Sequence, residues 1–142
     1  MKKIILCVVF SLAAIVASSQ TRCNSGDLNL EMTFKRCVVN NNILIIDFVL
    51  TNVDKKDIHL SLTGCSAYDD EGNCYIKNIK FDIGNTGYDS GNFPAETPVK
   101  LRCYISDIDE FATKIIRLDM HYMKNYAFRY TMNVKNIDIT RE

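Results

Sequence analysis

The sequence predicts an all-β fold, because three features of the chain agree. Apolar and polar residues alternate with a period of two through most of the chain beyond residue 20, which is the pattern of half-buried strands. Short clusters of Asn, Asp, Gly and Ser separate the alternating segments, as turns do. No segment shows the three-to-four-residue spacing of an amphipathic helix.

The first three predicted strands lie before residue 64. Their inward-facing residues are, in order, Leu28, Leu30, Met32 and Phe34, then Leu44, Ile46, Phe48 and Leu50, then Ile58, Leu60 and Leu62. Residues 40–42, three asparagines, turn the chain after the first strand, and the polar segment 52–57 turns it before the third. Phe48 lies at the centre of the most apolar strand, so we expect its ring to be buried.

A hairpin and a long loop follow. Asp69 to Asn73 form the predicted tip, in which Gly72 supplies the positive φ that such turns need. With this tip, Tyr68 would lie opposite Cys74. A fourth strand would run from Tyr75 to Ile83, and residues 84–98, rich in Gly, Asn and Ser, would form a loop of about 15 residues.

Three more strands complete the prediction. Their inward-facing residues are Val99, Leu101, Cys103 and Ile105, then Ile116, Leu118, Met120 and Tyr122, then Tyr126, Phe128, Tyr130, Met132 and Val134. About seven strands, each with one polar face, are typical of an immunoglobulin-like (Ig-like) antiparallel β-sandwich. We therefore expect a single Ig-like domain over residues 20–142, a length sufficient for one core.

Residues 1–19 have the pattern of a cleavable secretion signal. Two lysines precede the apolar run from Ile4 to Val16, and the small residues Ala17 and Ser19 fit the cleavage positions before Gln20. The run is too short to span a membrane, which needs about 20 apolar residues. The sequence therefore predicts an exported protein, located in the periplasm, at the cell surface or outside the cell, with no membrane span after cleavage.

The charge of the exported part argues against nucleic acid as a partner. Without the two lysines of the signal, 15 basic and 17 acidic residues give a net charge of −2. No basic patch or tail is present to attract a polyanion.

Five cysteines remain beyond residue 19. They are Cys23, Cys37, Cys65, Cys74 and Cys103. In an oxidising compartment cysteines form disulfides, but an odd number leaves at least one unpaired within the molecule. The spacing contains no C-x-x-C, so a zinc site is not predicted. Cys65 and Cys74 would lie several residues apart on the hairpin, so we expect no disulfide between them.

Three segments carry a resemblance to a known group of proteins. They are Val49–Asn52 entering a lysine-rich turn, Ala67–Asn73, and Phe93–Lys100. In this pattern of strands and turns the chain resembles exported Ig-like β-sandwich domains of unknown function from Gram-negative anaerobic bacteria. The resemblance implies the fold and export, and it carries no catalytic residues.

Candidate binding residues cluster in the hairpin tip and the long loop. They combine aromatic rings with carboxylates and are Tyr68, Asp69, Asp70, Tyr75, Tyr88 and Phe93. The tip acids do not have the alternating spacing of a helix-loop-helix calcium site and are typical of solvated turn residues. We interpret Asp107, Asp109 and Glu110 in the same way. We therefore predict no metal ion and no cofactor.

Catalytic residues are not predicted either. The only histidines, His59 and His121, fall on outward-facing strand positions, where tuning of a pKa is weak. A pair of Ser61 or Cys65 with His59 is conceivable, but no nucleophile-elbow motif accompanies it.

Three functional hypotheses follow from the sequence. The leading one is a non-enzymatic interaction or accessory module of the cell envelope, which binds another envelope or extracellular protein through loops at one end of the sandwich. The second is a domain that binds a glycan or cell-wall fragment through loop aromatics. The third, a hydrolase, has the least residue support. Exposed aromatic rings that converge on one end of the sandwich would favour a glycan ligand. A flat apolar patch would favour a protein partner, and a deep pocket with two acids would favour an enzyme.

Overall fold

The computed structural model describes residues 20–142, and these form two β-sheets around a common core. The predicted secretion signal, residues 1–19, lies outside the described residues. Within residues 20–142 all the regular elements are strands, and no helix is long and apolar enough to cross a membrane. The predicted all-β, Ig-like sandwich is confirmed.

The first sheet has six strands. They are β1 (Arg22–Asn24), β4 (Ile58–Asp69), β5 (Cys74–Tyr75), β7 (Ser90–Phe93), β9 (Lys114–Lys124) and β10 (Phe128–Asp138). Their order is β1-β10-β9-β4-β5, and β7 pairs with the start of β4 while β5 pairs with its end. All pairings are antiparallel.

The second sheet has five strands. They are β2 (Leu30–Asn40), β3 (Ile43–Asn52), β6 (Ile79–Ile83), β8 (Pro98–Ser106) and β11 (Thr140–Arg141). Their order is β11-β2-β3-β8-β6, and β11 runs parallel to β2 while the other pairs are antiparallel.

The strand count of about seven is wrong, because eleven strands occur in residues 20–142. Two of the differences come from the middle of the chain. The predicted fourth strand is two strands, since β5 belongs to the first sheet and β6 to the second, and Asn78 has a φ of 59° between them. The predicted 15-residue loop also contains β7, which pairs with residues 58–61 of β4. Within the hairpin the predicted pairing of Tyr68 with Cys74 is confirmed.

One register irregularity and the positions of the strand ends explain these errors in the predicted inward-facing positions. Ile116 is exposed because the registers on both sides of β9 skip it. Leu28 precedes β2 and is 99% exposed. Tyr126 lies in the turn after β9 with a φ of 62°, and Phe128 begins β10, so both rings are exposed as well.

The core lies between the two sheets, and Phe48 is fully buried in it, as predicted. Its ring meets that of Phe34 edge-on, with 6.1 Å between the centroids and an angle of 62°. Tyr122 is also buried and its hydroxyl donates to the carbonyl of Ser25 at 2.7 Å. Gly26 lies next to this contact with a φ of 80°, and a Cβ there would come within 2.4 Å of a backbone carbonyl oxygen of β10.

One carboxylate on the outer face of the second sheet organises three cations. Asp47, whose side chain is 4% exposed, accepts hydrogen bonds from Arg36 Nε at 2.7 Å and from Arg102 Nε at 2.6 Å. Lys100 Nζ lies 3.8 Å away. Burial alone would raise the pKa of Asp47, but the hydrogen bonds from Arg102 and Arg36 outweigh it and lower the pKa below its usual value.

Candidate binding surface

The carboxylate of Asp69, a predicted binding residue, is buried and used within the hairpin tip. One oxygen accepts from the backbone N–H groups of Glu71 and Asn73, each at 2.9 Å, and the other from the Tyr75 hydroxyl at 2.7 Å. Burial would raise the pKa of Asp69, but the hydrogen bonds from Tyr75 and Asn73 lower it. Burial raises the pKa of Tyr75 to about 12, and the bond to Asp69 acts in the same direction.

Asp70 closes the tip against the loop between β8 and β9. Its carboxylate accepts from the backbone N–H of Thr113 at 2.9 Å, from the Thr113 hydroxyl and from the N–H of Lys114 at 3.2 Å. The hydrogen bond from the Thr113 hydroxyl is the main reason that the pKa of Asp70 is lowered. The two predicted carboxylates and Tyr75 thus hold two loops together. Of the four predicted tip residues, only Tyr68 has an exposed aromatic ring.

The other two predicted residues lie away from the tip. Phe93 is fully buried on β7, so its predicted role as an exposed binding ring is wrong for this structure. Tyr88 is 70% exposed in the turn before β7 and borders a shallow hollow of about 340 Å³ beside Phe81. That turn lies beside the middle of β4, because the Leu62 N–H donates to the Asp89 carbonyl at 2.9 Å. The two predicted loops therefore do not converge at one end of the sandwich.

The structure does bring together the serine–histidine pair that the sequence suggested. The hydroxyl of Ser61 lies 3.3 Å from His59 Nε2, and Asn92 Oδ1 lies 3.2 Å from His59 Nδ1. Tyr126 stacks on the imidazole with 4.4 Å between the centroids and an angle of 12°. In a catalytic triad a carboxylate would accept the second hydrogen bond of the histidine, but here the partner of His59 is the neutral amide of Asn92. An amide stabilises a protonated imidazole less than a carboxylate does.

A cleft of about 510 Å³ opens on the outer face of the first sheet, where β4, β9 and β10 lie side by side. Gly64 forms its floor on β4, because the register shifts between Leu62 and Gly64 and a glycine leaves the space above it open. His121 lies opposite Gly64 and interacts with the Thr131 hydroxyl at 2.9 Å.

The remaining wall of the cleft combines a thioether with a guanidinium. Met123 and Arg129 are cross-strand partners on β9 and β10 and both line the cleft. Within residues 20–142 no carboxylate lies within salt-bridge distance of Arg129, whereas Arg117 on the same face pairs with Asp119 at 2.8 Å. The cleft therefore offers an exposed cation beside apolar surface.

Sequence reasoning missed this cleft because it placed recognition in loops. His121 was assigned correctly to the outward face, where it is exposed. The signal that could have revealed the cleft is Gly64, since a glycine where the period-two pattern of β4 breaks indicates a bulge.

The comparisons with known proteins show a similarity of fold alone. No family model matches the chain, and no curated protein matches it. Among solved structures it is similar to a copper-bound PCuAC domain from PmoF2, with 11% identity, a TM-score of 0.52, and coverage of 85% of this chain and 99% of that one. It is also similar to an ASH/PapD-like domain of human CEP192, with 10% identity, a TM-score of 0.46, and coverage of 83% and 85%. In residues 20–142 no group of three or more His, Cys, Asp or Glu side chains could hold a metal ion.

Proposed function

We propose that the chain is a non-catalytic, exported module of the cell envelope that binds a partner protein in the cleft on the outer face of the first sheet. The single observation that carries this proposal is the exposed guanidinium of Arg129 at a cleft of about 510 Å³. A carboxylate of the partner would pair with Arg129, and an apolar side chain beside it would contact Met123. Strands hold the backbone at these positions, so little backbone entropy is lost on binding.

Site-specific photo-cross-linking in the producing cell tests the partner. A benzophenone side chain at Thr63, which lines the cleft, should give an adduct with an envelope protein. The same group at Glu31, exposed on the outer face of the second sheet, is the control and should give none. Equal adducts from both positions, or an adduct from Thr63 that contains a glycan and no protein, would contradict the proposal.

Charge reversal tests the role of the guanidinium. Arg129→Glu should reduce the Thr63 adduct at least about tenfold, because it replaces attraction of a carboxylate by repulsion. Lys135→Glu is the matched control, since Lys135 lies on the same strand and the same face and is exposed. Loss of the adduct in both variants would mean that overall charge, and not Arg129, determines binding.

A covalent probe tests the absence of catalysis. Ser61 and His59 do not line the cleft, and the second ring nitrogen of His59 contacts the Asn92 amide in place of a carboxylate. We therefore expect no reaction of Ser61 with a fluorophosphonate that labels activated serines. Labelling that is retained in Arg129→Glu and lost in Ser61→Ala would show that the chain is a hydrolase.

Export is tested by the N-terminus of the protein recovered from its cell. Cleavage before Gln20 should give a chain that begins at this residue, with or without cyclisation to pyroglutamate. Mass spectrometry of the N-terminal peptide decides this, and a chain retaining Met1 in the membrane fraction would contradict it.

A further inference from the structure

Three cysteines that the proposed function does not use enter the core from opposite sides. Cys65 projects inward from β4 of the first sheet, since it pairs with the buried Met120 of β9. Cys103 on β8 and Cys37 on β2 project inward from the second sheet and are buried. All three pack in the same hydrophobic cluster. Cys23 on β1 also packs against this cluster, but it lies three strands from Cys65 at the edge of the first sheet.

Only one pair of these thiols is placed to bond. Cys65 and Cys103 project toward each other's sheet from inward positions on β4 and β8, and Cys65 is the neighbour with the largest influence on the Cys103 thiol. Cys37 and Cys103 both pair with Ile46, so they lie two strands apart on the same sheet. Two strand spacings are about 10 Å, which exceeds the Cα separation of about 7 Å that a disulfide allows.

We propose that Cys65 and Cys103 form an intramolecular disulfide that ties the two sheets together, while Cys37 stays a buried thiol. Two thiols lose two protons and two electrons as the S–S bond forms. The electrons pass to a disulfide oxidant, such as oxidised glutathione or an oxidising envelope protein, whose own S–S bond breaks to give two thiols. Export, proposed above, would supply such an oxidant.

The environment of Cys103 determines how readily this bond forms and breaks. The neighbouring Cys65 thiol and then burial raise the pKa of the Cys103 thiol well above the usual value, so the folded protein contains almost no Cys103 thiolate. The thiolate is the attacking species, so the buried Cys103 reacts slowly in the folded protein. The same burial shields the Cys103 sulfur of the disulfide once it has formed, so the folded oxidised protein resists reduction.

Peptide mapping tests the pairing. The full-length chain is expressed in a bacterial host, purified, reduced in urea and refolded in a glutathione redox buffer, and free thiols are then blocked with N-ethylmaleimide in urea. Trypsin alone leaves Cys65 and Cys74 in one peptide, because no Lys or Arg lies between them, whereas Glu-C protease also cuts after Glu71. We expect a linked species of peptides 57–71 and 103–110, with Cys37 alkylated. Alkylation of both Cys65 and Cys103, or a bond from Cys65 to any other cysteine, would overturn the proposal.

Stability measurements with a matched control provide a second readout. Wild-type protein that has been unfolded, reduced and refolded should have a Tm about 10 °C below that of the oxidised wild type, because the disulfide closes a long loop. Cys37→Ser should show the same shift, since this cysteine is also buried but unbonded. Cys65→Ala and Cys103→Ala should show none, and where either variant fails to fold the wild-type peptide map still decides.

The same map separates this proposal from that of export. Protein isolated from the host envelope without prior reduction should already contain the linked peptides. If they arise only after refolding in glutathione, the disulfide is correct and the proposed export is wrong. If they arise in neither preparation, the disulfide itself is refuted.

Discussion

Truncation of Phe48 tests the parity of the central strand and the position of the core. The ring is fully buried on β3 between Phe34 on one neighbouring strand and Leu101 on the other. Removing it forfeits about 1.5–3 kcal/mol of transfer free energy and about 0.5–1.5 kcal/mol from the edge-on contact with Phe34. The cavity left behind adds to both, so Phe48→Ala should lower the free energy of unfolding by about 3–5 kcal/mol.

Urea-induced unfolding followed by far-UV circular dichroism or tyrosine fluorescence measures this loss, since the chain has seven Tyr and no Trp. The Tm should fall by roughly 10–20 °C. Phe128→Ala is the matched control, because this ring is 61% exposed, and it should cost less than about 1 kcal/mol. A loss below about 1 kcal/mol for Phe48→Ala, or equal losses for the two variants, would refute the assignment of the core.

Two further predictions concern a buried charge and a glycine. Asp47→Asn should lower the free energy of unfolding by about 1–2 kcal/mol at pH 7. This value includes a discount for solvent screening, because the cationic partners of Asp47 are partly exposed. The folded-state pKa of Asp47 is lowered, so its stabilisation is present above the unfolded value of about 3.9 and is lost as the pH falls. Urea midpoints should therefore differ between wild type and variant at pH 7 and converge near pH 2, and a constant difference would contradict this account. Gly26→Ala should lower the free energy of unfolding by about 2–4 kcal/mol, because a Cβ there would lie 2.4 Å from a carbonyl oxygen. Gly72 has a similar positive φ but open space around it, so Gly72→Ala should lower the free energy of unfolding by about 1–2 kcal/mol. Equal losses in the same unfolding assay would show that the close approach at Gly26 is relieved at no cost.

The period-two pattern identified the strands because each strand buries one face and exposes the other. It placed Phe48 correctly and predicted the pairing of Tyr68 with Cys74, which depends only on the length of the hairpin loop. It failed at β5 and β6, where the same alternation continues although the chain passes from one sheet to the other near Asn78. Alternation reports which face of a strand is buried, and it carries no information on which sheet the strand joins.

The candidate site was harder to predict for a different physical reason. Asp69 and Asp70 have the residue type and the position of exposed binding groups, yet their oxygens are satisfied by contacts within the tip and by Thr113, 43 residues from Asp70 in sequence. Such partners are brought near only by the pairing of distant strands. Arg129 and Met123 meet across the short β9–β10 hairpin, but the β4 side of the cleft at Gly64 comes from a distant part of the sequence.

The position of the cleft on strands has a consequence for how binding would respond to mutation. A loop site adapts its backbone to a partner, whereas a site on a paired strand keeps its backbone fixed by the hydrogen bonds of the sheet. At Gly64 the fixed backbone and the absent side chain together keep the cleft open, and His121 Cδ2 would lie 3.8 Å from an added Cβ. A methyl group therefore fits there without a clash, but a larger side chain would occupy the cleft itself. Gly64→Ala should leave stability and the Thr63 cross-link nearly unchanged, whereas Gly64→Val should abolish the cross-link while the protein remains folded. Retention of the cross-link in folded Gly64→Val would place the partner elsewhere on the molecule.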